Sequence, residues 1–144
     1  MAFKQTQKSG FFFLGKACYS QTMSRPLALV VDDEPDLVEI LTFAAEDEGY
    51  RTLSAQNGSE AAKILAEEAV DLVISDMRMP GGDGLLVLEA VENLAQKPTV
   101  VLVSGFSDMT PEQAKARGAI LLPKPIDFEA LGDIFREVAK AKGS

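Results

Sequence analysis

The chain has 144 residues, 47% of them hydrophobic and 25% charged, with a formal net charge of -8, the profile of one soluble domain of ordinary size. The acidic balance argues against a nucleic-acid surface, which needs clustered Lys and Arg. The absence of histidine and the single cysteine, Cys18, exclude Ser-His and Cys-His nucleophile pairs, histidine metal ligands and an internal disulfide; a reducing, cytoplasmic compartment is expected.

No apolar run approaches the roughly 20 residues of a membrane span. Residues 1–24 carry Lys4 and Lys8 before the cluster Phe11-Phe12-Phe13-Leu14, too short for a signal-peptide core. They are expected to be a disordered extension, a tag or a leader ahead of a true start at Met23, with a membrane or partner anchor as the lesser reading.

From residue 26 the pattern alternates. Leu27-Ala28-Leu29-Val30-Val31 is a strand buried on both faces. Pro35 fits a first helical position, and that helix ends at Gly49 with Leu37, Val38, Leu41, Ala44 and Ala45 inward. Residues 51–55 are a modest strand, and Asn57-Gly58-Ser59 opens a helix. Residues 71–75 form a third strand, followed by the stiff Met79-Pro80-Gly81-Gly82 loop. A helix over residues 83–94 presents Leu85, Leu88 and Val91. A fourth strand spans residues 99–104. Thr110-Pro111 caps a short helix stopped by Gly118, and residues 119–122 are a fifth strand. Asp127 caps the last helix, whose inward face is Phe128, Leu131, Ile134, Phe135 and Val138, and a frayed tail closes the chain. The domain is expected over residues 25–141, with 142–144 as tail.

Five strand-helix units predict an α/β fold: a doubly wound, flavodoxin-like (βα)5 parallel sheet in the order 2-1-3-4-5. All strand-to-helix loops then lie at the carboxyl edge, where ligands bind. Asp32, Asp33 and Glu34 follow the first strand, Asp76 the third, Ser104-Gly105 the fourth, and Pro123-Lys124-Pro125 the fifth. In that order the first and third strands are neighbours, so Asp32, Asp33 and Asp76 converge. Three carboxylates so placed force a proton onto one of them unless a cation sits among them. Hard oxygen donors suit Mg²⁺. Lys124 supplies an ammonium and Ser104 a hydroxyl for phosphoryl oxygens. Together these make a phosphoryl-transfer site with Asp76 as nucleophile. Each residue has a plainer role in isolation: helix-start acids for Asp32 and Asp33, a turn former for Asp76, a surface lysine for Lys124. Their joint placement at four strand ends outweighs these.

The stretches VVDDEPDL, SDMRMPGGDGL, VSG and LPKPI, in that order over residues 26–141, resemble the receiver domain of two-component response regulators. The resemblance implies that Asp76 accepts a phosphoryl group from a histidine kinase or histidine phosphotransfer protein. It implies Mg²⁺ on Asp33, Asp76 and the backbone carbonyl of Arg78, with Asp32 acting through water. Ser104 is the implied switch hydroxyl and Lys124 the implied partner of Asp76, ahead of a cis Lys124–Pro125 bond. Two positions depart from the pattern: Leu121 stands where an aromatic switch residue is usual, and Gly105 where alanine is common. By the same resemblance, Arg78 and Phe106 occupy positions that tune dephosphorylation in the family. The expected output is a changed protein-protein surface on the fourth helix, fifth strand and last helix. The chain is expected to act alone or as part of a larger protein, as a monomer or a phosphorylation-dependent dimer, without membrane or nucleic-acid partners. Three other readings compete. They are a receiver that only scaffolds partners, an Mg²⁺-dependent phosphohydrolase of the haloacid dehalogenase type, and a flavin or nucleotide module. The last two are disfavoured by the Asp32-Asp33-Glu34-Pro35 sequence after the first strand.

Overall fold

The computed structural model describes residues 25–78, 84–105 and 109–143. Residues 1–24, Met79 to Gly82, Asp83, Phe106 and Ser144 lie outside the described residues. The elements follow in strict alternation: β1 (Leu27–Val31), α1 (Pro35–Asp47), β2 (Arg51–Ala55), α2 (Gly58–Glu67), β3 (Leu72–Asp76), α3 (Gly84–Glu92), β4 (Thr99–Ser104), α4 (Pro111–Ala116), β5 (Ala119–Pro123) and α5 (Phe128–Gly143). All strand pairs are parallel, in the order β2-β1-β3-β4-β5.

The period-2 geometry of strands divides the apolar side chains between two cores. Leu29, Val31, Val73, Val100 and Leu102 pack under α2, α3 and α4, with Ala61, Leu65, Val87, Leu88 and Val91. Ala28, Val30, Ile74, Val101 and Val103 pack under α1 and α5, with Leu41, Ala45, Leu131 and Phe135. Burial of both faces is why β1 and β3 read as unbroken apolar runs.

Local signals act as their chemistry requires. The Asn57 side chain accepts from Glu60 N at 2.9 Å. Thr110 and Gln113 form a reciprocal capping box. The Asp127 carboxylate accepts from Glu129 N and Ala130 N. Gly49 (φ 94°) and Gly118 (φ 82°) end α1 and α4 in the left-handed conformation that a side chain disfavours.

Several details differ from the sequence expectation. The third strand runs one residue further and ends on Asp76 itself. In α3 the inward set is Gly84, Val87, Leu88 and Val91, while Leu85 is exposed; positions i, i+3, i+4 and i+7 counted from Gly84 select this face. Phe128, expected in the core, is also exposed, because it is the first residue of α5 and precedes the turn that packs on the sheet. Finally, α5 continues through Lys142 instead of fraying. Lys142 Nζ lies 3.4 Å from an Asp71 carboxylate oxygen, and cations suit a helix C-terminus.

Tyr50 joins the two helices of one layer. It is fully buried, and its hydroxyl donates to the Phe135 carbonyl of α5. Tyr50→Phe is expected to cost about 1 kcal/mol, read as a lower urea midpoint at unchanged slope.

Candidate phosphoryl-transfer site

The carboxyl ends of β1, β3, β4 and β5 bring the sequence-selected residues together. β1 and β3 are hydrogen-bonded neighbours in register from Ala28↔Leu72 to Val31↔Ser75. Asp32 and Asp33, just past β1, therefore meet Asp76 at the tip of β3. One carboxylate oxygen from each of the three lies within 4.8 Å of the others. Asp32 is buried at 3% exposure, Asp76 is nearly so, and Asp33 is exposed.

Asp32 is held by its backbone and by its neighbour. Its N–H donates to the Ala55 carbonyl at 3.1 Å. Its side-chain oxygen accepts from Glu34 N at 2.9 Å. Burial, followed by the charges of Asp76 and Asp33, outweighs that hydrogen bond and the nearby Lys124 charge, and pushes the Asp32 carboxyl up to about 6. Below about pH 6 the most enclosed acid of the trio therefore carries a proton.

Lys124 reaches back across the edge, with Nζ 3.2 Å from Asp76 Oδ1. The Lys124–Pro125 peptide bond is cis. Lys124 N donates to the Ser104 carbonyl at 2.9 Å, which ties the strand ends bearing the hydroxyl and the ammonium. Ser104 is buried as the last residue of β4. Arg78 is exposed two residues past β3, next along the chain from Met77. Leu121 is partly buried in the core beneath α2, α3 and α4, the same core on which Met109 packs. A methyl group at Gly105 would meet the Lys124 stem at 3.6 Å, ordinary contact, so the departure from alanine there leaves the lysine's path open.

Two residues that shape the site carry no titratable group and were not singled out from the sequence. Ser75 is fully buried, and its hydroxyl donates to the Asp76 carbonyl at 2.9 Å. Gly84 N donates to the Met77 carbonyl at 2.9 Å. A Cβ on Gly84 would lie 3.0 Å from Met77 Cα and 3.2 Å from the Asp76 carbonyl oxygen. The signal for Gly84 was its place on the inward face of α3. Gly84→Ala is expected to push α3 away from the Asp76 strand end and to cost on the order of 1–3 kcal/mol. Urea unfolding beside a Gly105→Ala control, expected to be near neutral, checks this.

The arrangement is chemically specific. A carboxylate 3.2 Å from a lysine ammonium and within 4.8 Å of an oxygen of each of two further carboxylates offers a nucleophile, a cationic contact and a hard-oxygen cation site. The three acids within one oxygen cluster fit Mg²⁺ by charge and by donor type.

Residues 28–136 match the family described as the response regulator receiver domain. The chain is 37% identical over 114 residues to the response regulator protein PilR of Pseudomonas aeruginosa, an alignment that takes in 78% of this chain and 26% of that protein. It is 29% identical over 118 residues to sporulation initiation phosphotransferase F of Bacillus subtilis, covering 81% of this chain and 95% of that one. The chain thus spans about a quarter of the length of the longer curated relatives it matches and nearly all of the shorter one. Among solved structures, the response regulator receiver domain protein from Clostridium thermocellum superposes with a TM-score of 0.73 at 27% identity, over 82% of this chain and 97% of that one. With its strand order, its acidic strand ends and its lysine after β5, the chain belongs to the response regulator receiver domain family.

Proposed function

We propose that this receiver domain accepts a phosphoryl group on Asp76 from a phosphohistidine of a separate protein, a histidine kinase or a histidine phosphotransfer protein. The observation that carries the reading is the oxygen cluster of Asp32, Asp33 and Asp76 with Lys124 3.2 Å from Asp76. Residues 1–144 contain no histidine, so a phosphohistidine donor lies outside them, and a small acyl phosphate is the alternative donor. The name of sporulation initiation phosphotransferase F, similar over most of its length, agrees with a place in a phosphorelay.

In this reading an Asp76 carboxylate oxygen attacks phosphorus, the phosphorus–nitrogen bond of the donor breaks, and the imidazole leaves. Asp33, Asp76 and the Arg78 carbonyl, with Asp32 acting through water, would hold Mg²⁺, whose positive charge would act against the phosphoryl oxygens. Lys124 exchanges its contact with Asp76 for a phosphoryl oxygen, and Ser104 donates its hydroxyl to another. The module is a phosphoacceptor, not an enzyme acting on a separate substrate; its only chemistry is self-phosphotransfer and loss of its own phosphoryl group. The receiver unit covers residues 25–141, and its output is an altered protein-binding surface on α4, β5 and α5.

The test is intact-protein mass spectrometry after incubation with acetyl phosphate, with and without Mg²⁺. One phosphoryl adduct that requires Mg²⁺ supports the reading. No adduct in a protein that still binds Mg²⁺ replaces it with the scaffold reading, for which the non-aromatic Leu121 is the motive.

A further inference from the structure

The outer face of α1 is unlike that of a solvated helix. Phe43 is 70% exposed and Ile40 51% exposed, and as an i, i+3 pair they lie side by side. Asp36, Glu39, Glu46 and Asp47 are exposed at helical spacing on the same face, and α1 contains no Lys or Arg. The result is a two-residue apolar centre in an acidic frame. A partner with aromatic side chains flanked by cations, and free of carboxylates, complements it.

The chain carries such a segment. Residues 1–24 contain Lys4, Lys8 and Lys16 and no Asp or Glu, and hold Phe11-Phe12-Phe13-Leu14 between the second and third lysines. Its point of attachment is also favourable. The Arg25 guanidinium donates to the carbonyls of Gly49 at 3.2 Å and Tyr50 at 3.3 Å, so the segment joins the fold at the C-terminal end of α1. From there to Ile40 is about 14 Å along the helix at 1.5 Å per residue. The eleven Cα–Cα steps from Leu14 to Arg25 span up to about 36 Å when extended. Reach is therefore ample.

We propose that residues 11–14 dock on the Ile40–Phe43 face of α1 in the same molecule, with Lys8 and Lys16 against its carboxylate frame. The segment then covers the apolar face of the helix that leads away from Asp32 and Asp33. A protein that reads α1 has to displace it first.

Cys18 is the chain's only cysteine and lies beside the proposed docking residues, so a nitroxide can be attached there in the full chain. Paramagnetic attenuation of amide signals is then measured in ¹⁵N-labelled protein. Attenuation along residues 39–47 is expected, reduced by high salt and reduced again in the triple variant Phe11→Ser, Phe12→Ser, Phe13→Ser. Phe43→Ser, at an exposed position that keeps the fold, is expected to reduce it equally. Attenuation confined to the neighbourhood of Gly49 and unchanged in either variant overturns the proposal. So does attenuation that appears when spin-labelled ¹⁴N chain is mixed with unlabelled-cysteine ¹⁵N chain, which assigns the face to a second copy. Attenuation along α1 that disappears on adding anionic vesicles, with the segment's own signals lost into the vesicles, supports docking in free protein. Attenuation of α1 seen only with vesicles overturns it.

Discussion

Asp76→Asn is expected to abolish phosphorylation by acetyl phosphate while leaving the fold intact. The amide keeps the shape of the side chain and removes the nucleophile, so the adduct seen in the parent protein is absent. The stability change is small because two effects oppose each other. The ion pair with Lys124, whose side chain is 38% exposed, is lost, at a cost of about 1 kcal/mol or less. At the same time one of three carboxylates within 4.8 Å is neutralised, which relieves Asp32 of the first of its two charge repulsions. Mass spectrometry and thermal unfolding on one preparation give both readouts. An adduct that persists in Asp76→Asn transfers the nucleophile to Asp32 or Asp33 and sinks the proposed assignment. A large loss of stability assigns Asp76 a structural role that the geometry does not predict.

The second large effect is a coupling of pH, stability and Mg²⁺ through Asp32. Its carboxyl is raised from 3.8 to about 6, so between these values the folded chain holds a proton that the unfolded chain has released. Stability of the metal-free protein therefore falls as pH rises from about 4 to about 6, and stays low above that, by on the order of 2–3 kcal/mol. Mg²⁺ acts with the opposite sign. It favours the ionised cluster, so its binding is weakened below pH 6, by up to about tenfold at pH 5 relative to pH 7. Thermal unfolding with and without Mg²⁺ at the two pH values is expected to give the larger stabilisation at pH 7. Asp32→Asn is expected to flatten the metal-free profile across this window. A profile in the variant as steep as in the parent protein would falsify the assignment to Asp32.

How much of this was legible in the sequence depends on the kind of residue. Central strands betray themselves because both faces are apolar, so β1 and β4 were placed to the residue; the alternation of elements predicted the parallel sheet, and its order was taken as the flavodoxin-like one. Asp32, Asp33, Asp76, Ser104 and Lys124 were selected because each follows or ends a strand whose end could be read. What escaped was set by packing rather than by type. Leu85 and Phe128 are as apolar as their buried neighbours, and only the phase of the helix against the sheet leaves them outside. Gly84 has no side chain to announce that the Asp76 carbonyl lies 3.2 Å from where one would begin. The choice of Asp32 as the proton holder needed its 3% exposure, since nothing in the Asp32-Asp33 dipeptide separates the two.

The division of the site between central and edge strands has a consequence for local opening. β1 and β3 are buried at all five positions and paired on both sides, whereas β5 is an edge strand with most of its residues partly or fully exposed. Amide hydrogens of such central strands exchange mainly when the whole domain unfolds, and those of an exposed edge exchange by smaller excursions. The three acids therefore sit at the ends of the two strands expected to exchange slowest, and Lys124 follows a strand expected to open more often. One half of the site persists for as long as the domain is folded, while the other can depart and return many times within that lifetime.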